Sequence, residues 1–491
     1  MTGGPGKTSI RAGYGVFYTS LEDLTQFQEV GDVPYGLFFV TSGTFFDTPF
    51  APRDSSGLPI IQRFPFSFPP KNVSAKNPDS SFCWMPNGTT CPGGVLPIAG
   101  DLAYNHNNKT PYAEDYELSI QRQIGSKTLV SVSYVGTQAH KLLTSIESNP
   151  ASAALCLQLN AAGATPACGP FGEGGVYTLP PGVGFSSVPV ANANPAVQLT
   201  NQQCPAPSAA MTCNAVNGTF TVFPPQNGNQ VFNNNPYEST IAQSSYNSLQ
   251  ASVRHSSSYA TFLLGYTFSK CRDDASELLE GINPFNPKAS TSLCSFDVTH
   301  NFVASYEAKL PFDRAFHATS GWASKLASGW AISGVTTFAT GLPVSLSETD
   351  DNSLTGTANT SAPIDLPDFT PGKILANTNP RSGQPYFNVN LFSAETLGTI
   401  GNAPRRFFHG PGLNNWDMAL LKDTKITESK SLEFRFEAFN TFNHAQFMNP
   451  TSSFNSGFPM FVNGVNVGGT FGLVSQARDP RIMQAALKIL F

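Results

Sequence analysis

Charge is what this chain has least of. Lys, Arg, Asp and Glu together make up 12% of its 491 residues, about half the share of an average soluble protein. A water-soluble globule of this size covers itself with Lys and Glu, whereas a chain with one surface in lipid and neutral loops in water does not need them. No run approaches 18 consecutive apolar residues. That excludes a transmembrane helix on length but leaves open a barrel whose short strands alternate. With a net charge of −5 and no basic block, nucleic acid is not expected as a partner. The opening residues MTGGPGKTSI show no positive start, apolar run and cleavage site, so no signal peptide is read there.

Motifs for site chemistry are missing too. No C-x₂-C spacing occurs and none of the seven His stands in an H-x₃-H array, so neither a metal nor another cofactor is expected. Gly6-Lys7-Thr8 resembles the end of a phosphate-binding loop. However, Met1 stands where its first Gly is required, and the residues after Thr8 alternate like a strand rather than opening a helix. No Ser/His/Asp arrangement can be picked out, and no enzyme is expected. Asp350-Asp351-Asn352 and Asp273-Asp274 match no calcium-loop spacing and read as solvated turn residues.

In place of charge the chain carries Asn, Ser, Thr, 42 Gly, 39 Pro and 39 Phe. Its eight cysteines fall into sequence-local pairs: Cys83 with Cys91, Cys156 with Cys168, Cys204 with Cys213, and Cys271 with Cys294. All lie in stretches read as loop. An even count and local pairing suit disulfides in an oxidising compartment, with unpaired loop thiols as the alternative.

Period-two alternation recurs in about ten segments: residues 8–18, 114–124, 128–136, 246–254, 261–269, 298–310, 330–340, 414–422, 431–440 and 481–491. The clearest is 431–440, where Leu432, Phe434, Phe436 and Ala438 alternate with Glu433, Arg435 and Glu437. Long connections (19–113, 137–245, 271–297, 341–413, 441–480) alternate strictly with short ones (near 126, near 257, 313–329, 423–430). Short periplasmic turns and long extracellular loops give this asymmetry. Compact soluble β-domains rarely carry loops of such length. The expected fold is therefore all-β, an antiparallel transmembrane β-barrel, partial, with about ten strands and long extracellular loops. Arg254, Glu433, Arg435 and Glu437 are placed on the lumen face, because charge facing hydrocarbon is expensive. Tyr18, Tyr134, Phe268, Trp416 and Phe491 suit interfacial girdles.

The last strand counts back from Phe491 through Ile489, Leu487, Ala485 and Met483, all apolar, with Lys488 and Gln484 opposite. A final strand ending in an aromatic residue resembles the signal read by the bacterial barrel-assembly machinery. Several segments resemble the C-terminal barrel of Oar-like TonB-dependent receptors. Among them are RAGYGVFY (11–18), YELSIQRQIGSKTLVSVSYVGTQAHKL (116–142), FDVTHNFVASYEAKLPF (296–312), GPGLNNWDMALLKDTKI (410–426) and EFRFEAFNTFNHAQFMNP (433–450). The resemblance implies outer-membrane location, contact with outer-membrane lipid, and energy-coupled passage of an unknown large solute. It also implies coupling to the TonB system through a plug region. Such receptors begin with a signal peptide and a plug and close with about 22 strands, so this chain is expected to be a fragment without them. A surface adhesion or structural protein is the rival reading.

Overall fold

The computed structural model describes residues 6–20, 107–147, 236–317, 321–355, 364–375, 379–427 and 429–491, with the short pieces 103–105, 153–161, 163, 213–214, 221–222 and 377. Among the described residues ten long strands follow one another: β1 (Thr8–Tyr18), β2 (Tyr112–Ile124), β3 (Thr128–Glu147), β4 (Pro236–Ser256), β5 (Ala260–Asp273), β6 (His300–Leu310), β7 (Trp330–Ala339), β8 (Leu413–Lys425), β9 (Ser431–Phe439) and β10 (Ile482–Leu490). Each pairs antiparallel with the next in chain order, giving one continuous meander with β1 and β10 at its edges. Ala103–Tyr104 and Ser292–Leu293 add two-residue pairings to β4 and β5. Among the described residues no helix is long and apolar enough to cross a membrane.

The registers sort the side chains into two sheets of chemistry. Directly paired residues share a face, so one row reads Glu437, Ala419, Ser333, Glu307, Thr261 from β9 back to β5. A second polar row runs Gln250, Ser133, Ser119, Arg11. Shifting by one residue gives Ala438, Met418, Gly334, Tyr306, Phe262 and, further along, Leu249, Tyr134, Leu118, Ala12. The second face is the apolar one, and its aromatics and aliphatics are exposed: Tyr14 by 68%, Leu249 by 48% and Leu487 by 65%. A face this apolar and this open needs a solvent other than water.

Two glycines on the apolar face let tyrosines lie flat across neighbouring strands. A Cβ on Gly136 would stand 2.3 Å from the Tyr116 ring, and one on Gly334 would meet Tyr306 at 2.9 Å. Each tyrosine sits directly opposite its glycine in the ladder, so the ring covers backbone that would otherwise be bare.

Three features depart from the alternation pattern. β3 and β4 run to 20 and 21 residues, well past the nine to eleven that span a bilayer, and the loop between them is shorter than read. Their pairing slips between Ala139 and Thr144, where Lys141 adopts φ 55°. Beyond the slip, Thr144, Ser145 and Glu238 are wholly buried, because other loops pack on the extension. Polar sequence there hides the strand, since both faces are covered and alternation vanishes. The 313–329 connection holds two short helices, α2 (Phe312–Ala315) and α3 (Gly321–Ala327), that no capping signal announced. Cys271 lies at the end of β5 rather than in a loop, and Cys156 lies in a helix, α1 (Ala153–Ala161).

The two faces predict opposite tolerance to charge. Leu264→Arg, on the apolar face, is expected to destabilise the folded protein by about 2–4 kcal/mol. Ser305→Arg, one residue from Leu264's partner Ala304 but on the polar face, is expected to change it by less than about 1 kcal/mol. Urea titration read by heat-modifiable gel mobility measures both, and equal losses would contradict the two-solvent reading.

Candidate functional site

The connections after β5, β7 and β9 all leave the same end of the sheet, and they fold together there into a cap. Its centre is aromatic. Phe387, Phe392 and Phe408 from the β7–β8 connection enclose Phe471 from the β9–β10 connection, with Val344, Leu346 and Val389 around them, all buried. The rings meet edge-on: Phe387 stands 5.1 Å from both Phe408 and Phe471, and Phe392 stands 5.5 Å from Phe471, the arrangement aromatic quadrupoles favour. Main-chain bonds tie the layers, from Val344 N to Phe408 O at 3.0 Å and from Leu346 N to Arg405 O at 2.8 Å. Long neutral loops thus make their own core, with Phe369, Phe407 and Phe454 packed against it.

Beside that core an arginine knot fastens the β5–β6 connection to the β7–β8 one. Arg406 is 2% exposed. Its Nε donates to Leu293 O at 2.6 Å, Nη2 donates to Ser276 Oγ at 2.9 Å and Glu280 Oε2 at 3.0 Å, and Nη1 pairs with Glu280. Nη2 also lies 3.4 Å from Asp273 Oδ1. Arg405 reaches the same Glu280 at 2.9 Å through Nε. Burial pushes the Glu280 carboxyl up, but the two guanidiniums outweigh it and hold the group below its ordinary range. Nearby, Asp297 pairs with His409 Nε2 at 2.9 Å and accepts from Cys271 N at 2.6 Å. Burial again raises the carboxyl, and these hydrogen bonds leave it lowered on balance. Cys271 and Cys294 are joined by a disulfide, with Cα atoms 5.4 Å apart.

Next to the knot lies a cavity of about 430 Å³. Arg405, Arg406, Glu280, Leu346, Glu348 and Asp365 are among the residues that line it. Glu348 and Asp365 are 3% and 4% exposed; Glu348 lies against the Glu395 carboxyl, and Asp365 against Ser353 and the Asp351 carboxyl. Burial, then the neighbouring Glu395, pushes Glu348 up to about 8. Burial, together with Asp351 and Glu395, pushes Asp365 up to about 8. Among the described residues no group of three or more His, Cys, Asp or Glu is arranged to hold a metal ion.

The description "Outer membrane beta barrel domain" matches residues 2–484, almost the whole meander and its cap. This chain belongs to the family of outer membrane β-barrel domains. It is a protein of the bacterial outer membrane, and its apolar sheet face is the one that meets lipid. No curated protein matches it. Among solved structures it is similar to the outer membrane transporter YddB of Escherichia coli, at 9% identity and TM-score 0.35 over 81% of this chain and 34% of that one. It is likewise similar to the ferripyoverdine receptor of the outer membrane of Pseudomonas aeruginosa bound to ferripyoverdine, at 11% identity and TM-score 0.30 over 80% and 29%. The chain spans about a third of the length of these solved chains.

Within this barrel domain the residues singled out from sequence are scattered. Arg254, Glu433, Arg435 and Glu437 lie on the polar face. Arg254 and Glu437 border one shallow hollow with Glu307 and Asp417, while Glu433 borders another with Lys309 and Asp423. Arg435 lies 3.4 Å from Glu437. Met483, Ala485, Leu487 and Ile489 line the apolar side of edge strand β10, and Phe491 follows it, 90% exposed. Cys156 is buried and disulfide-bonded. Cys213 lies in a two-residue strand. Cys83, Cys91, Cys168 and Cys204 lie outside the described residues. Two sequence assignments are corrected: Asp273 and Asp351, read as solvated turn residues, are 3% and 0% exposed, because the cap closes over both. Arg406, Glu348, Asp365 and Glu395 were not singled out at all. The one available signal was the adjacent Arg405-Arg406 pair in a chain so poor in charge.

Arg406→Ala is expected to destabilise the cap by about 3–5 kcal/mol, since it strands buried Asp273 beside no direct cation and leaves Glu280 only its pair with Arg405; limited proteolysis of the 274–299 and 340–412 connections measures this. The pH response has a defined sign. Glu348 and Asp365 hold protons that the unfolded chain releases near pH 4, so their contribution to cap stability falls as pH rises from about 4 to about 8. The lowered Glu280 and Asp297 act oppositely, contributing above the ordinary carboxylate range and losing it in stronger acid. Protease cleavage of the cap is therefore expected to be faster at pH 9 than at pH 5, with the difference reduced in Glu348→Gln. A flat profile would remove the buried acids from the account.

Proposed function

We propose that this chain is the C-terminal part of the barrel of an Oar-like TonB-dependent receptor, taking part in energy-coupled passage of a large solute across the outer membrane. The observation that carries the reading is the pairing of a two-faced meander with a self-cored cap at one end. A polar wall rising to a folded cap suits a conduit with a recognition surface at its mouth. In this reading Arg254, Glu433, Arg435 and Glu437 face the lumen, where they contact a plug region and the passing solute. The edges β1 and β10 pair with the remaining strands of the larger barrel, because unpaired backbone in lipid is costly. Met483, Ala485, Leu487, Ile489 and Phe491 are presented to the barrel-assembly machinery. The unassigned cysteines pair locally, Cys83 with Cys91, Cys156 with Cys168 and Cys204 with Cys213, outside the reducing cytoplasm. The chemistry is transport, with no bond made or broken by the protein.

A photo-crosslinking amino acid placed at Glu437 in the native outer membrane tests this. The receptor reading expects capture of a plug segment, with a yield that changes when the proton gradient is collapsed. Capture of nothing, or a yield indifferent to the gradient and to TonB, would favour a passive surface protein instead.

A further inference from the structure

The connection between β6 and β7 belongs to the end of the sheet opposite the cap, and its helices lie against the apolar face rather than under the polar one. Lys422 of β8 and Trp330 of β7 are direct partners on that face, two residues along from the Leu420–Ile332 pair. Lys422 is a cation in an apolar row, and it is 7% exposed. Its Nζ donates to the Lys325 carbonyl of α3 at 2.7 Å and to the Ser328 carbonyl just after it, and it stands 5.6 Å from the centre of the Trp330 ring. The Trp330 indole in turn donates to Leu326 O at 2.8 Å. These bonds hold the end of α3 over the apolar row, which a turn lying beneath the lumen would not meet. The same connection carries an open apolar patch. Phe316, just past α2, is 73% exposed, and Trp322 and Leu326 of α3 are 76% and 59% exposed. Trp322 and Leu326 are four residues apart and share one side of the helix. With Phe312, Trp330 and Leu420 these three line one shallow groove, so the patch is continuous with the sheet face that meets lipid. Arg314 and Lys325 are exposed on the same two helices.

We propose that α2 and α3 are an interfacial anchor that lies in the periplasmic, phospholipid leaflet of the outer membrane, with Phe316, Trp322 and Leu326 among the acyl chains. Three observations carry it. The groove is part lipid-facing sheet, through Trp330 and Leu420, so any other occupant has to displace lipid from those two side chains. The patch holds a tryptophan, the residue that favours the boundary between headgroups and hydrocarbon. Arg314 and Lys325 supply positive charge next to the apolar side chains, which is what a short helix in the plane of an anionic surface needs. The leaflet follows from the topology, since short connections are the periplasmic ones. The anchor also explains Lys422. An ammonium facing lipid is costly, and the carbonyls at the end of α3 accept its protons and cover it. This goes beyond the receptor reading and does not rest on it, because any barrel of this membrane could carry such an anchor.

The test places a photo-crosslinking amino acid at Trp322 and, in a second variant, at Phe316, in the native outer membrane. Leu264 on the apolar face and Ser305 on the polar face serve as references, adducts are identified by mass, and gel mobility confirms that each variant is folded. Phospholipid adducts are expected at Trp322 and Phe316, at a yield near that of Leu264 and at least about tenfold above Ser305. A second measurement uses the purified protein in vesicles of phosphatidylethanolamine and phosphatidylglycerol with brominated acyl chains. The emission that Trp322→Tyr removes should be quenched more by bromines near the headgroup than by bromines near the chain ends. An adduct with another protein or with a second copy of this chain would overturn the proposal. So would an adduct with a glycolipid of the outer leaflet, or no lipid adduct at either position while Leu264 captures lipid. Failure to capture lipid at Leu264 as well would overturn the lipid face and the anchor together. None of these outcomes depends on the proton gradient or on what Glu437 captures, so the receptor reading stands or falls separately.

Discussion

The constraint beneath this structure is that lipid offers no hydrogen-bond partner to a backbone. Every amide that enters the membrane has to find its carbonyl on a neighbouring strand. The chain meets this with a meander of ten long strands joined in sequence order. Once the ladder exists, the side chains have only two directions, and the sequence assigns one to hydrocarbon and the other to water. The tyrosine-over-glycine contacts at Gly136 and Gly334 belong to the same logic, covering bare backbone from the lipid side.

The cap solves a different problem. Loops of this length cannot lean on the sheet for a core, because the sheet's apolar face is already in lipid. They bury their own phenylalanines against one another and lock the layers with Arg406, Glu280, Asp273 and the Cys271–Cys294 disulfide. Arg406 and Asp273 are buried there, where low dielectric makes their pairing weigh more than it would on a wet surface. The same burial raises the carboxyls of Glu348 and Asp365, so these two acids weaken the cap as they ionise while Glu280 strengthens it through its arginine.

Strands were legible wherever the two faces met different solvents. β9 is the plainest case, with Leu432, Phe434 and Phe436 against Glu433, Arg435 and Glu437. The far ends of β3 and β4 were illegible because consecutive residues there, Thr144 with Ser145 and Glu238 with Ser239, are buried, so polar and apolar residues follow no period. Asp351 and Asp273 looked like turn residues in sequence and are buried in the cap. Nothing local distinguishes a carboxylate in a solvated turn from one that a distant arginine or a distant acid will meet.

By itself the sequence determined the order of the long strands among the described residues, the alternation of polar and apolar side chains along them, and the membrane in which that alternation makes sense. It did so because alternation is a local property, written between residue i and residue i+2. Only the tertiary structure decided which loop residues become neighbours. Arg406 meets Glu280 across 126 positions of chain, and Phe387 meets Phe471 from a different connection altogether. Contacts of that span are set by packing in three dimensions, and they leave no period in the sequence to read.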